Sequence, residues 1–207
     1  MTIDIHDLMN SILASLSRIH YIKPEEMPNI DLYMDQVTTF MEEVLRPTKR
    51  HAEDKILTKT MVNNYVKNDL LPPPEKKKYS KEHLLTLIFI YYFKTSLSIQ
   101  DIQKLLNPIT DRYWDTEGEI SLEEIYKLVF SLEETEVDLL KERLQEEFRM
   151  SEEAVEQMDG LNKKEADFLQ KFVFVCLLNF DVFTKKLLME KIIDSMTEPE
   201  TTGKKKK

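Results

Sequence analysis

The chain has 207 residues and 24.6 kDa, enough for one large domain or two small ones with a real core. With 3 Gly it lacks the means to build glycine-cradled phosphate loops, and a single cysteine, Cys176, excludes an internal disulfide framework or a multi-cysteine zinc site. The net charge of -9 argues against nucleic acid only if it is evenly spread, and it is not: Arg46–Lys81 holds ten basic residues against four acids, a net +6, which leaves -15 for the rest.

Helical periodicity dominates, and no segment alternates as a strand. Leu8, Ile12, Leu13, Leu16 and Ile19 form an apolar stripe on a first helix that ends before Pro24. Tyr33, Met34, Val37, Phe40, Met41, Val44 and Leu45 form a second, stopped near Pro47. A short helix is predicted over Lys59–Asn68 with Thr58 as its cap, and the prolines at 72–74 enforce an extended or turning chain, with room for a small hairpin. Ser80 opens a helix that is apolar almost all round (Leu84, Leu87, Ile88, Tyr91), the pattern of a central core helix. Ser98 with Asp101 opens another, followed by an expected loop carrying Pro108 and Trp114. Ser121 with Glu124 and Asn162 with Glu165 read as capping boxes, the latter starting a long helix from about Lys163 to about Met196. The expected fold is all-α, divided into residues 1–107, an acidic helical region 108–198, and a disordered lysine tail 199–207.

No targeting segment or membrane span is expected: the N-terminus lacks a positive region before an apolar run, and the longest such run, Phe172–Leu178, is far short of the roughly 18 residues a span needs. A cytoplasmic protein is the expectation. The histidines are scattered, no base is paired with a nucleophile, and Cys176 in Phe-Val-Phe-Val-Cys-Leu-Leu is expected to be buried and inert. Tyr113, Asp115, Glu117, Gly118 and Glu124 fall near calcium-loop spacing, but a tyrosine stands at the first ligand position. No catalytic residue, metal or cofactor is expected.

The basic segment is the functional lead. On the Lys59–Asn68 helix, Val62, Tyr65 and Val66 share one face, and Thr60, Asn63, Asn64 and Lys67 lie opposite. Asparagine can bond adenine edges, threonine can touch a thymine methyl, and lysine can reach guanine or phosphate. Lys59, Arg46 and Arg50 are cations placed to hold phosphates beside such a helix.

The run Leu57-Thr-Lys-Thr-Met-Val-Asn-Asn-Tyr-Val-Lys-Asn-Asp-Leu-Leu71, followed by Pro72–Lys78, Tyr79-Ser80 and the Ser98–Leu106 helix, resembles the helix-turn-helix and wing of MerR-type regulators. With Asp31-Leu-Tyr-Met-Asp-Gln36, the stretch of about residues 5–106 also resembles a bacterial domain family of unknown function. The resemblance implies that Thr60, Asn63 and Asn64 face bases, that Tyr65 packs or touches a phosphate, and that Lys67 grips the backbone. It places Lys76, Lys77, Lys78 and Tyr79 in the wing and its base. The chain differs from MerR proteins in a short, three-proline wing, in Asp69 where glycine is common, and in about a dozen residues before the reading helix. The implied function is a transcription regulator on double-stranded DNA, expected to act as a homodimer through its C-terminal helices. The alternative is a protein–protein interaction module in which the helix-turn-helix is only structural. Phe168, Leu169, Phe172, Val175, Cys176, Asn179, Phe180 and Phe183 on the last helix serve as its core face or as the dimer seam.

Overall fold

The computed structural model describes residues 5–16, 22–116 and 120–196. It is all-α apart from a two-stranded sheet: α1 (Ile5–Leu16), β1 (Leu32–Tyr33), α2 (Met34–Val44), α3 (Lys59–Lys67), β2 (Lys78–Tyr79), α4 (Lys81–Phe93), α5 (Ile99–Tyr113), α6 (Leu122–Ser131), α7 (Glu133–Glu156) and α8 (Lys163–Ser195). Ile19 of the first apolar stripe, Glu117 and Gly118 of the calcium-like spacing, and the lysine tail lie outside the described residues.

The helix starts follow their side chains. Ser98 Oγ accepts from the Asp101 amide at 3.2 Å and Ser121 Oγ from the Glu124 amide at 3.2 Å, with each acid bonding back to the cap amide. Asn162 Oδ1 accepts from Lys164 and Glu165, and α8 begins at Lys163 as its capping box requires. The chain falls into two compact units: Ile22–Leu128 with the end of α8 from Leu188, and α1 with Val129–Leu187.

In the first of these units, α4 is buried without interruption from His83 to Ile90, so the uniformly apolar helix is the core of its unit. Val37 and Met41 of α2, Val62 of α3, and Ile102 and Leu106 of α5 are buried in the same unit. The predicted loop after Leu106 is helix instead. Pro108 lies inside α5, where the missing N–H leaves the Lys104 carbonyl without its helical donor; two residues on, Thr110 Oγ1 donates to the Leu106 and Asn107 carbonyls. The sequence reading divides the chain after Asn107, whereas packing divides it after Leu128. Tyr126 of α6 accounts for the difference: its ring meets Phe89 edge to face at 5.5 Å and its hydroxyl donates to the Ile22 carbonyl at 2.9 Å. Glu123, one turn earlier, bridges Lys81 and Lys127 at 2.8 Å each, and these cations hold its carboxyl below the usual range.

In the other unit, Ile5 and Met9 of α1, Leu144 and Phe148 of α7, and Phe174 of α8 form one cluster, with the Phe148 and Phe174 rings edge to face at 5.6 Å. Arg143 reaches Asp181 at 2.6 Å and ties α7 to α8. α8 gives this core only a narrow strip. Cys176 lies two residues, about 200° of helical turn, beyond Phe174, and is therefore exposed rather than buried as its apolar neighbours suggest.

Candidate nucleic-acid interface

Thr58 Oγ1 accepts from the Met61 amide at 3.2 Å and starts α3 where its side chain predicts. The helix ends through Asp69, whose φ of 52° is the left-handed conformation that usually falls to glycine. Asp69 thereby turns the chain so that the Leu70 amide donates to the Tyr65 carbonyl at 2.9 Å, and Leu70 and Leu71 are buried. The two leucines and Val62 hold one side of α3 inward. Thr60, Asn63, Asn64 and Lys67 are all exposed on the other. The side chains of Asn63, Asn64 and Lys67 make no hydrogen bond or ion pair within the described residues, so their donors and acceptors face solvent.

Tyr65 and Val66 are half-buried, and burial pushes the Tyr65 phenol up, which keeps it a neutral hydrogen-bonding group. Gln103 of α5 donates to the Asn68 carbonyl and fixes the end of α3. Lys94, at the end of α4, donates to the Ile56 carbonyl at 3.0 Å and fixes the approach to it. Neither Gln103 nor Lys94 is legible in sequence, because each acts on a carbonyl more than thirty residues away.

The wing is a two-residue turn closed by one antiparallel bridge, Glu75 to Lys78, rather than an extended hairpin. Lys78 N–H donates to the Glu75 carbonyl at 2.8 Å, and Lys76 and Lys77 both have positive φ, 49° and 65°, the pattern of a type I′ turn. The prolines supply no amides for a strand on the near side. β2 pairs instead with β1, antiparallel, Leu32 against Tyr79 and Tyr33 against Lys78. Lys76 and Lys77 are exposed at the tip, and the Lys78 ammonium lies 5.5 Å from the Tyr33 ring centroid. Tyr79 is buried against His83, so it belongs to the wing's base and offers no surface.

Four of this segment's ten cations are paired in place, three of them by acids from outside it. Asp35 pairs with Lys59, Glu42 with Lys49, Glu123 with Lys81, and Glu75 with Lys76 at 3.6 Å. Arg46 and Arg50 are exposed and form no ion pair within the described residues. The cations of the segment without a carboxylate partner among the described residues are therefore Arg46, Arg50, Lys55, Lys67, Lys77 and Lys78.

The segment that carries these groups is also the one that comparison recognises. A family model described as a domain of unknown function, DUF1836, matches residues 22–129, more than half of the chain. The chain belongs to the DUF1836 family. No curated protein matches it, and no solved structure does. The DUF1836 match begins at Ile22 and ends one residue beyond Leu128, so it takes in α2 to α5 and most of α6 and coincides with the first segment of the compact unit built on α4. Tyr126 and Trp114 therefore fall within the DUF1836 domain, Trp114 meeting His83 edge to face at 4.6 Å. No helix among the described residues is long and apolar enough to cross a membrane.

Proposed function

We propose that this DUF1836 protein is a DNA-binding regulator of MerR-like winged helix-turn-helix type. α3 enters the major groove, and the Lys76–Lys77 turn rests on the phosphate backbone. The observation that carries the reading is the outward face of α3, where Thr60, Asn63, Asn64 and Lys67 are exposed together, with the two asparagine amides and the ammonium unpaired. Two adjacent asparagines are poor helix formers, worth several tenths of a kcal/mol each against alanine, so their presence on a solvent face favours recognition over helix stability. Arg46, Arg50 and Lys78 supply backbone contacts, and the acidic remainder of the chain, -15 outside Arg46–Lys81, repels DNA and confines contact to this segment. Such a reader works as a homodimer in the cytoplasm, its two α3 helices about 34 Å apart on successive major grooves.

The test is a gel-shift titration of the purified protein against genomic fragments over a range of salt. Binding should weaken steeply with salt, and Asn63→Ala with Lys67→Ala should cost roughly tenfold or more. Absence of binding even at low salt, or binding indifferent to the double substitution, defeats the proposal.

One observation favours the second reading, a protein-interaction module. Four of the ten cations in the basic segment are matched by carboxylates, which lowers the field that DNA would feel. Under that reading a protein partner copurifies with the chain and nucleic acid does not.

A further inference from the structure

Among the described residues, the outer face of α8 leaves a run of large apolar side chains in water. Gln170, Phe174 and Asp181 face the core strip with α7, whereas Phe168, Phe172, Val175 and Val182 are 71%, 57%, 59% and 61% exposed on the opposite side. Phe180 and Phe183 flank them at 69% and 56%. Taking ~200 Å² for a whole phenylalanine, these six side chains leave roughly 700 Å² open to solvent. That exceeds the ~300–600 Å² of the largest patch on a typical monomer and approaches the ~800 Å² that each partner of a standard dimer buries.

The spacing says what covers it. Phe168, Phe172, Val175, Asn179, Val182 and Lys186 follow one another at alternating steps of four and three, the heptad rhythm of a two-helix seam. An ordinary amphipathic helix packed on its own domain needs no such alternation on its solvent side. Asn179 falls at an a position, near the middle of the run, and is exposed. A lone asparagine at an a position lowers stability against an apolar residue, but it bonds its own counterpart across a twofold axis and so selects one register.

We propose that a second copy of this chain covers the face, the two α8 helices running parallel with Asn179 against Asn179. The seam stands on α8 alone and does not depend on α3 reading DNA. The same residues suit an identical partner because in a parallel, in-register pair each a position faces its own counterpart, whereas an antiparallel pair sets a against d.

Three variants of the full chain test it. Sedimentation equilibrium should give a dimer for the unmodified protein, and Val175→Asp should weaken association roughly tenfold or more. Val175 is exposed, so far-UV circular dichroism of that variant at concentrations where both proteins are monomeric should be unchanged. In a Cys176→Ser background, Val175→Cys and Val182→Cys should each form intermolecular disulfides on mild oxidation, because each d position meets itself in a parallel seam. A monomeric unmodified protein, or a Val175→Asp variant as dimeric as the parent, overturns the proposal. Crosslinks that appear only when the two cysteine variants are mixed mean an antiparallel pair and overturn the register.

Discussion

The backbone amide of Ser80 donates to Nδ1 of His83 at 2.9 Å, so the imidazole accepts there and carries its proton on Nε2. The ring is 4% exposed between Tyr79 and Trp114, and Nε2 has no hydrogen-bond partner. Burial lowers the pKa of His83, and the nearby Pro72 and Pro73 carbonyls and the Glu82 and Asp31 carboxylates offset this only in part. One side chain thus caps α4 and packs the base of the wing, and it does both while neutral.

This arrangement gives stability a pH dependence of known sign. With the folded pKa depressed, the unfolded chain binds more protons once pH falls below the ordinary histidine value of about 6.5, so stability drops as acid is added through that point and on to the folded pKa. His83→Gln retains an acceptor for the Ser80 amide, as in a serine–glutamine capping box, and has nothing to titrate. Urea denaturation between pH 7.5 and about 5 should show a falling midpoint for the parent, with a clearly shallower fall for the variant. Parallel slopes refute the assignment.

Tyr126→Phe keeps the edge-to-face contact with Phe89 and removes only the hydroxyl that donates to the Ile22 carbonyl. The buried carbonyl is left without that donor, and the expected loss is about 1–2 kcal/mol with the fold retained. Chemical denaturation of the full chain measures it. A neutral result means that the carbonyl finds water, and that apolar packing and the Glu123–Lys81 ion pair hold α6 to its unit without it.

Local chemistry was legible in the sequence, and remote partnership was not. Thr58, Ser98, Ser121 and Asn162 mark their helix starts because a cap and its acid lie within one turn of each other. The two faces of α3 follow from periodicity alone. Pro108 was misleading because proline ends helices by default, and nothing local announces that α5 runs on past it to Tyr113. Cys176 was misleading in another way: an apolar run shows that a helix has a large hydrophobic surface, not how much of it its own domain covers. The same ambiguity left α8 open as core or seam, and burial shows Phe174 inward with Phe168 and Phe172 outward. Gln103 and Lys94 secure α3 from elements far along the chain, where no motif ties them to it.

Asp69 holds the left-handed position that ends α3, a conformation that costs an ordinary L-residue roughly 1–2 kcal/mol and aspartate somewhat less. Asp69→Gly should therefore raise stability by about 0.5–1 kcal/mol, and Asp69→Val should lower it by more than 1 kcal/mol, because a β-branched side chain fits that conformation worst. Thermal unfolding of the three proteins orders them. A glycine variant less stable than the parent shows that the carboxylate contributes more than the backbone strain costs.

Lys77 separates the fold from the proposed function. Its φ of 65° suits glycine in a type I′ turn, so Lys77→Gly should stabilise the chain by about 1 kcal/mol. A lysine kept in a strained position at an exposed tip is explained if its charge is used, and a phosphate contact is such a use. The variant should then bind DNA more weakly at every sequence, and the slope of log K against log salt should fall by about one. Greater stability with unchanged DNA binding leaves the strained lysine unexplained and removes the wing from the interface, while α3 keeps its own test through Asn63 and Lys67.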